Sequence, residues 1–364
     1  MRVFLTGGGT GGHLYPAMAI GETLQKMTGC RIIYIGTGYG LESRIIPDTD
    51  YPFKKIWIRG LKRGAVLENL LFPLRMVVSL IQCIVMILSH KPDIVVGTGG
   101  YVSWPVLTAG VLLGKKTFLH EQNQKPGLVT KVLASYMSRV YLSFRESQNY
   151  LKRSDNTLYT GNPTRAILKL GTKKEGYRRF YLDPKKTTIF IFGGSQGALG
   201  INRIVIRHLK DLMKLKSIQL LWITGPKWFD SIRQKTGDFK DSLCVLPYLE
   251  DMHLAYAVSD LVISRSGATT IAELTQLGLP ALFIPFPHAA GGHQEENAKI
   301  LVNAGAADMM TENEMETNSF VQRVEMLIRN KKRRKEMSRI MTTFGNPDAA
   351  FRIVRDIQKS VEPV

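Results

Sequence analysis

Residues 3–20 read VFLTGGGTGGHLYPAMAI: a short apolar segment, a glycine loop and an apolar segment with helical spacing. This order predicts a strand, a loop and a helix, as in a Rossmann-like α/β unit. Glycines let the backbone approach a ligand closely, and the free N–H groups at the start of a helix attract an anion. His13 is unusual there, because phosphate binding needs no imidazole, so we consider a role in proton transfer.

Gly7, Gly9 and Gly12 also match the dinucleotide pattern GxGxxG, and the second strand tests that interpretation. A dinucleotide-binding unit carries an acidic residue about 20 residues further on, at the end of its second strand, where it holds the ribose. Here the second predicted strand, 32–35, ends in a glycine-rich segment with no acid before Glu42. We therefore reject the dinucleotide interpretation and expect no cofactor.

The length of 364 residues predicts two domains. Lys and Arg total 49 against 30 Asp and Glu, and the net charge of +19 favours an anionic partner. The dense basic run 329–335 lacks interleaved aromatic residues, which favours a solvated helix face over a nucleic-acid site. The three cysteines lie too far apart for a zinc motif or a disulfide framework, and the N-terminus has no signal-peptide pattern, so we expect a reducing cytosolic setting.

Strand-like and helical segments alternate in both halves of the chain. This alternation predicts a parallel sheet with crossover helices in each half, and ligands bind at the carboxyl ends of such strands. We therefore predict an α/β fold with two Rossmann-like parallel-sheet domains facing a central cleft. The predicted ranges are 1–162 and 163–342 for the two domains, and 343–364 for a terminal helix that packs on the first. The predicted strands are 3–5, 32–35, 94–96, 116–119, 140–142, 188–192, 219–223, 261–263 and 281–284.

The segment 70–88 departs from this pattern, because it is apolar almost all round. Only 15 of its residues, 74–88, follow Pro73, whereas a membrane-spanning helix needs about 20 apolar residues. We therefore do not expect the segment to span a bilayer. Two interpretations stay open: a buried crossover helix, or a helix whose apolar face enters a bilayer surface beside Lys62 and Arg63.

Two more glycine turns mark the second half. The turn 193–197 follows a predicted strand, and the hydroxyl of Ser195 can donate to an oxyanion beside backbone N–H groups there. The segment 264–273 again predicts strand, turn and helix, with Glu273 in the first turns of the helix. Glu273 can accept two hydrogen bonds from a ribose diol, or it can cap the helix, and the spacing alone favours neither.

Two pairs of residues invite comparison with metal sites. His288 and His293 lie in the loop 285–297, but no third ligand stands at a supporting spacing, so we expect no metal there. Asp48 and Asp50 form a DxD sequence, and their turn-rich surroundings favour a solvated turn. The loop 285–297 is instead rich in groups that can bind sugar hydroxyls.

Six motifs together resemble the MurG family of glycosyltransferases, which belongs to glycosyltransferase family 28. They occur in the family's order over nearly the whole chain, and this makes the set far more specific than any one motif. The resemblance implies a GT-B fold and an inverting transfer of N-acetylglucosamine from UDP-N-acetylglucosamine. The implied acceptor is the 4-hydroxyl of undecaprenyl-pyrophosphoryl-N-acetylmuramyl-pentapeptide, in peptidoglycan synthesis. The motifs are GGTGGHLYPAMAI at 8–20, HEQN at 120–123, GNPTR at 161–165, GGSQGA at 193–198, SRSGATTIAEL at 264–274 and HQEENA at 293–298.

The chemistry of that transfer follows from charge. As the bond between the sugar and UDP breaks, a guanidinium, a hydroxyl and helix N-termini stabilise the growing negative charge without a metal. The acceptor hydroxyl must lose its proton. His13 lies beside a helix N-terminus, which favours the neutral imidazole that a general base needs, and Glu121 is the rival base.

The resemblance assigns the remaining site residues by their position in the motifs. They fall into groups that contact the donor sugar or acceptor, the donor diphosphate, the sugar hydroxyls, the uracil and the ribose. The residues for the donor sugar or acceptor are Thr10, Gly11, Gly12 and Asn123, and those for the diphosphate are Arg165 and Ser195. Gln294 is assigned to the sugar hydroxyls and Glu273 to the ribose. The uracil is assigned to Leu249 and to the backbone of Ala268, Thr269, Thr270, Ile271 and Ala272.

The resemblance further implies a peripheral position on the cytoplasmic face of the cell membrane. The expected partners are the two substrates, an anionic membrane surface and proteins of cell-wall synthesis and division; nucleic acid is not expected. One alternative is a related transferase that uses another lipid acceptor, such as diacylglycerol. Another is a non-catalytic, membrane-docked protein that binds nucleotide sugars. Release of UDP that depends on the muramyl lipid separates all three.

Overall fold

The computed structural model describes residues 1–61, 69–164, 171–194, 197–239, 241–317 and 319–361. The chain divides into two compact units, Met1–Arg165 with Asn346–Val364, and Ala166–Gly345. Each unit is built on one sheet, and every pair of neighbouring strands in the two sheets is parallel. The predicted class, α/β with two Rossmann-like parallel-sheet domains, is confirmed.

The sheet of the first unit has the strand order β3-β2-β1-β4-β5-β6-β7 within the described residues. Its central strands are buried on both faces, which explains why they read as continuous apolar runs in the sequence. The strands are β1 Arg2–Thr6, β2 Arg31–Gly36, β3 Phe53–Lys55, β4 Ile94–Gly97, β5 Lys116–Glu121, β6 Arg139–Leu142 and β7 Thr157–Tyr159.

Helices connect these strands and cover both faces of the sheet. Two groups of buried apolar residues form the core, one on each face. The helices of this part of the chain are α1 Gly11–Thr28, α2 Glu42–Ile45, α3 Phe72–His90, α4 Gly100–Leu112 and α5 Leu128–Leu133.

Helix α3 corrects part of the sequence argument. It contains 19 residues, more than the 15 counted after Pro73, and its length and mean hydropathy of 2.0 meet the criteria for a membrane span. The count of 15 residues was therefore too low, and by length alone the helix can span a bilayer. The buried-helix interpretation holds for one face of the helix only, because Ser79, Cys83 and Ile87 are its buried residues. The helix presents Ser79, Cys83 and Ile87 to the unit, leaves five large apolar side chains exposed and keeps its other large apolar side chains half-buried.

The second unit has the strand order β10-β9-β8-β11-β12-β13 within the described residues. One large apolar cluster fills its core. The strands are β8 Thr187–Phe192, β9 Ile218–Ile223, β10 Leu243–Leu246, β11 Leu261–Ser264, β12 Ala281–Phe283 and β13 Asp308–Met309. The helices are α6 Lys173–Phe180, α7 Leu199–Met213, α8 Phe229–Lys235, α9 Met252–Val258, α10 Ala268–Leu277, α11 His293–Asn303, α12 Glu312–Met315, α13 Ser319–Arg329 and α14 Lys331–Thr343.

A last helix, α15 Ala349–Val361, returns to the first unit and contacts α1. It is strongly amphipathic and buries Ile353, Val354 and Ile357 among the core residues of that unit. Asp356 accepts hydrogen bonds from Arg139 and Tyr141, at 3.2 and 3.0 Å, which ties the helix to β6.

Candidate active site

The two sheets share a topology that places both glycine loops at equivalent points. In each sheet the strand order reverses at the central pair, β1 with β4 in the first unit and β8 with β11 in the second. Ligands of open α/β sheets bind at the carboxyl ends of the strands beside such a reversal. The loop 7–10 follows β1 and the turn 193–198 follows β8, so each lies at the point where a ligand is expected.

A carboxylate already occupies the first glycine loop. The Gly9 N–H donates to Oε2 of Glu42 at 2.9 Å, and the N–H and hydroxyl of Thr37 donate to Oε1 at 3.1 and 2.6 Å. The Glu42 side chain is fully buried, and a Cβ added at Gly8 would lie 2.6 Å from it. A second negative charge beside this carboxylate would be repelled. The anion that we expected at this loop is therefore supplied by the chain itself.

His13 lies in the first turn of α1 and is held by its Nδ1 atom. Nδ1 is 2.9 Å from the carbonyl oxygen of Thr98 and 2.9 Å from Oε1 of Gln122. Both partners are acceptors, so Nδ1 carries the proton and donates it, and Nε2 of the neutral ring is the acceptor. This is the tautomer in which Nε2 can take a proton from a substrate.

The loop after β4 packs directly against the His13 ring. Gly99 and Gly100 have φ of +86° and +75°, in the left-handed region that favours glycine. A Cβ added at Gly99 would lie 3.3 Å from the imidazole, and one at Gly100 would lie 2.8 Å from the Gly8 carbonyl oxygen and 3.1 Å from the ring. Two glycines are thus required for the backbone to approach His13 from this side.

The HEQN motif contributes to this site with residues from the end of β5. His120 and Glu121 belong to the strand itself, which runs two residues beyond the predicted strand 116–119. Gln122 follows the strand and reaches His13, which is 109 positions away in the sequence. The motif therefore provides the residue that holds His13.

Glu121 is engaged in local hydrogen bonds. Its Oε1 accepts from the N–H and the side-chain amide of Asn123, at 2.9 and 3.3 Å, and its Oε2 accepts from the Gly127 N–H at 3.0 Å and from the Thr130 hydroxyl. The carboxylate is buried, and four donors satisfy its two oxygens. Glu121 thus fixes the turn between β5 and α5, which leaves little capacity to take a proton from a substrate.

The second glycine turn differs from the first at its described residues, 193–194 and 197–198. Gly194 and Gly197 have φ of +96° and +75°, and the turn leads into the N-terminus of α7. In this part of the turn no carboxylate accepts a hydrogen bond from the backbone, unlike at Gly9. The Glu312 carboxylate lies against Gly200 in the first turn of α7, where it is paired with the Arg265 guanidinium. The described part of the loop and the helix N-terminus behind it thus have the form of an anion-binding site. Ser195 and Arg165, which we assigned to the diphosphate, lie outside the described residues.

The N-terminus of α10 begins one residue after Gly267, and the turn 268–272 assigned to the uracil forms its start. Glu273 lies in the second turn, and the first turn of α10 contains no acidic residue, so the capping interpretation of Glu273 is wrong. Instead, the Tyr256 hydroxyl donates to Oε2 of Glu273 at 2.7 Å. Tyr256 is buried against the rings of Phe190 and Phe192, which fixes the position of the carboxylate.

Gln294 lies in the first turn of α11 with a defined amide orientation. Its Oε1 accepts from the Phe286 N–H at 2.9 Å, and its backbone carbonyl accepts from the Ser266 hydroxyl at 2.8 Å. The amide NH2 group, which can donate to a sugar hydroxyl, is therefore turned away from Phe286. Leu249 has a buried side chain, which is compatible with an interaction through its backbone alone.

The remaining sequence features lie away from these loops. Asp48 and Asp50 are exposed in the turn 46–50, as a solvated turn requires. Lys331, Lys332 and Lys335 of the basic run are exposed on α14, which agrees with a solvated helix face.

Comparison with known proteins gives the family. Residues 3–142 match the glycosyltransferase family 28 N-terminal domain, and residues 188–353 match the glycosyltransferase family 28 C-terminal domain. The chain belongs to glycosyltransferase family 28. Among its curated relatives are proteins of Chlorobium luteolum and Bacillus subtilis, each named UDP-N-acetylglucosamine–N-acetylmuramyl-(pentapeptide) pyrophosphoryl-undecaprenol N-acetylglucosamine transferase. They are 40% and 36% identical, over 96% and 97% of this chain and 96% and 98% of their own length.

Solved structures of similar proteins agree with this assignment. The crystal structure of Acinetobacter baumannii MurG has a TM-score of 0.77 and 28% identity, over 98% of this chain and 99% of its own. The Staphylococcus aureus MnaA–UDP structure, with a TM-score of 0.74, 15% identity and coverage of 99% and 97%, shows the same fold. The predicted resemblance to the MurG family and the predicted GT-B fold are therefore confirmed, and this family-28 member is a glycosyltransferase.

Sequence reasoning missed three residues that organise the site: Glu42, Gln122 and Tyr256. Glu42 was noticed only because it stands too late for a dinucleotide fingerprint. Gln122 lies inside the HEQN motif, and this was the available signal for its role. Tyr256 has no motif, and only the fold brings it to Glu273.

Proposed function

We propose that this family-28 enzyme transfers N-acetylglucosamine from UDP-N-acetylglucosamine to the 4-hydroxyl of undecaprenyl-pyrophosphoryl-N-acetylmuramyl-pentapeptide, with inversion at the anomeric carbon. The names of its curated relatives give the two substrates. The observation that supports the chemistry best is the position of His13, whose Nδ1 faces two acceptors. A sugar hydroxyl is a poor nucleophile until a base takes its proton, and this arrangement leaves Nε2 to do so.

In this proposal the acceptor hydroxyl attacks the anomeric carbon while its proton passes to Nε2 of His13. The bond between the anomeric carbon and the UDP oxygen breaks, and the electron pair leaves with UDP. Glu121 is the weaker candidate for the base, because four donors already occupy its oxygens. Thr10, Gly11, Gly12 and Asn123 contact the donor sugar or the acceptor.

We assign the donor nucleotide to the second unit. The backbone of the first glycine loop donates to the Glu42 carboxylate, whereas the acid nearest the start of α7, Glu312, is paired with Arg265. Arg165 and Ser195 bind the diphosphate, together with the N-terminus of α7, and they stabilise the negative charge that grows there. Glu273 accepts from the ribose diol, Leu249 and the turn 268–272 meet the uracil, and Gln294 donates to sugar hydroxyls.

This assignment gives each predicted domain one task. The range 1–162 binds the lipid-linked acceptor, the range 163–342 binds UDP-N-acetylglucosamine, and the helix within 343–364 packs on the first domain.

We further propose that the protein docks peripherally on the cytoplasmic face of the cell membrane. Leu74, Val77, Ile81, Val85 and Leu88 follow one another at helical spacing on α3, and each is 51–58% exposed. Soluble proteins rarely leave such a stripe uncovered. The opposite face of α3 belongs to the core of the first unit, so the helix cannot cross a bilayer without leaving its sheet. An apolar stripe on a folded unit with positive net charge fits an anionic lipid surface.

The membrane position would bring the enzyme to its lipid-linked acceptor. We include proteins of cell-wall synthesis and division among its proposed partners, because the product is a precursor of peptidoglycan.

The deciding experiment measures UDP release from UDP-N-acetylglucosamine by the full-length protein with three acceptor conditions: the muramyl lipid, diacylglycerol, or none. We expect release only with the muramyl lipid. Release with diacylglycerol instead would show a different lipid-directed transferase. Binding of UDP-N-acetylglucosamine without release under any condition would show a binding protein.

A further inference from the structure

The orientation of the Gln122 side-chain amide is fixed by its surroundings. Its Nε2 lies 2.8 Å from the Thr98 carbonyl oxygen, 3.0 Å from the His120 carbonyl oxygen and 2.9 Å from Nδ1 of His120. If the amide were reversed, its oxygen would lie against the carbonyl oxygens of Thr98 and His120. Its NH2 group would then face Nδ1 of His13, which already donates to the Thr98 carbonyl. The Oε1 atom of Gln122 must therefore face His13.

His120 provides the third partner that holds this amide. It is fully buried at the end of β5, and burial lowers its pKa to about 4, so the ring is neutral. Its Nε2–H donates to the Gly161 carbonyl oxygen at 3.2 Å, which leaves Nδ1 as the acceptor for the Gln122 amide. Each group in the series from Gly161 to His13 thus has only one compatible orientation.

We propose that Gln122, backed by His120, is a positioning residue that selects the Nδ1–H tautomer of His13. This inference rests on the proposed function, because the tautomer matters only if Nε2 of His13 takes the acceptor proton. Gln122 acts on both acceptors of His13: it supplies one, and it donates to the Thr98 carbonyl that supplies the other. When Nε2 gains its proton, the Nδ1–H bond to Gln122 strengthens, because the ring is then positively charged.

The test compares wild type with Gln122→Met, which keeps the length of the side chain and removes its polar atoms. Tautomers are measured by nitrogen NMR on ¹⁵N-histidine-labelled full-length protein, and a His13→Ala spectrum assigns the His13 signals among the seven histidines. We expect only Nδ1–H in the wild type and a measurable Nε2–H population in Gln122→Met. We also expect kcat to fall about 10- to 100-fold, the range for one hydrogen bond to a charged group, while KM for UDP-N-acetylglucosamine stays unchanged.

The matched control is Gln219→Met in the second unit. Gln219 is a buried glutamine with three hydrogen bonds of its own, so its replacement causes a comparable loss of packing and polar contacts without touching His13. We expect the wild-type tautomer and kcat in this control. Equal losses of kcat in the two variants would show that Gln122 acts through stability alone and would overturn the proposal.

A second variant, Gln122→Glu, keeps an oxygen that accepts from Nδ1 in either protonation state. We expect it to retain the Nδ1–H tautomer, and it decides the question if Gln122→Met does not fold. If His13 is entirely Nδ1–H in Gln122→Met, the Thr98 carbonyl alone selects the tautomer and the proposal is overturned. If His13 is Nε2–H in Gln122→Glu, the side chain at position 122 does not accept from Nδ1, which also contradicts the proposal. A changed tautomer with unchanged kcat would support the positioning role and refute His13 as the base, so the two failures are distinguishable.

Discussion

The carboxylate of Glu42 accepts a hydrogen bond from the backbone N–H of Gly9, with 2.9 Å between Oε2 and the amide nitrogen. Two residues 33 positions apart thus share the loop in which a phosphate is expected from the glycine pattern alone. The two glycine loops of the chain are alike in sequence. In the first, however, the Glu42 carboxylate occupies the position that an anionic ligand would take. This difference supports our proposal that UDP binds to the second unit.

We therefore predict that Glu42→Ala destabilises the first unit and leaves UDP binding intact. The substitution leaves the donors of Gly9 and Thr37 unpaired in the interior, which costs on the order of 2 to 4 kcal/mol. The melting temperature and the calorimetric affinity for UDP measure the two effects. Glu22→Ala, at an exposed acid on α1, is the control and should melt as wild type does. A large loss of UDP affinity in Glu42→Ala would place the nucleotide in the first unit.

Glu273→Ala should weaken UDP binding by about 1.5 to 3 kcal/mol and raise KM for the donor, as loss of a hydrogen bond to a charged group does. Tyr256→Phe keeps the ring packing on Phe190 and Phe192 but removes the bond that fixes the carboxylate, so it should raise the donor KM by less. Calorimetry measures the affinity of each variant for UDP, and a thermal melt shows whether the variant is folded. Wild-type UDP affinity in a Glu273→Ala protein that melts normally would remove Glu273 from the site.

His13→Ala should lower kcat about 10² to 10⁴-fold and leave the affinity for UDP nearly unchanged, since a general base contributes that much to the rate. The fall of the rate toward acidic pH should disappear with the imidazole. Glu121→Gln is the comparison, and we expect it to reduce stability more than it changes the pH profile. If Glu121→Gln abolishes the acidic limb and His13→Ala retains it, the roles of the two residues are reversed.

His120 predicts a pH dependence of stability. Its pKa is lowered from 6.5 to about 4 by burial, so between these values the unfolded chain binds a proton that the folded chain does not. Stability is therefore lost as pH falls from 6.5 toward 4, by about 3 kcal/mol in total, and none of this loss occurs above pH 6.5. Urea unfolding of wild type and His120→Gln at several pH values measures the difference. If the free energy of unfolding depends on pH equally in both proteins, the loss of stability does not come from protonation of His120.

The strands show what the sequence could and could not predict. The described strands inside the two sheets were all predicted, because strands buried on both faces of a parallel sheet are mostly apolar. The four that were missed, β3, β7, β10 and β13, are the edge strands of the two sheets. β3 carries two lysines and β13 has only two residues, so neither has a pattern that differs from a loop.

Site residues could be predicted where one motif contains both the loop and the functional residue, as with His13, which follows the first glycine loop in the sequence. It was not predictable where the partner is distant in the chain. Gln122 holds His13 across 109 positions and Glu42 fills the loop at Gly9 across 33, and these contacts exist only after the sheet has formed. Whether a carboxylate of the protein fills the first loop therefore depends on tertiary structure.

Membrane docking through α3 gives the last prediction. Replacing Val77, Ile81 and Val85 by serine removes the middle of the exposed stripe and should abolish flotation of the protein with anionic vesicles. The melting temperature should stay within a few degrees of wild type, because these side chains are 55–58% exposed already. Leu199→Ser, at a residue of the second unit that is 54% exposed, is the matched control and should still float.

Salt separates the two contributions to this binding. Burial of apolar surface stabilises the bound state by roughly 25 cal/mol per Å² and does not weaken as salt is added, whereas each basic residue near an anionic leaflet adds about 1 kcal/mol that is screened. Flotation of wild type should therefore decline with salt without vanishing, and Lys62→Glu with Arg63→Glu, at positions outside the described residues, should reduce the salt-sensitive part. If the triple serine variant floats as wild type does, α3 is not the docking surface. Complete loss of wild-type flotation at high salt would instead show that charge alone holds the protein on the membrane.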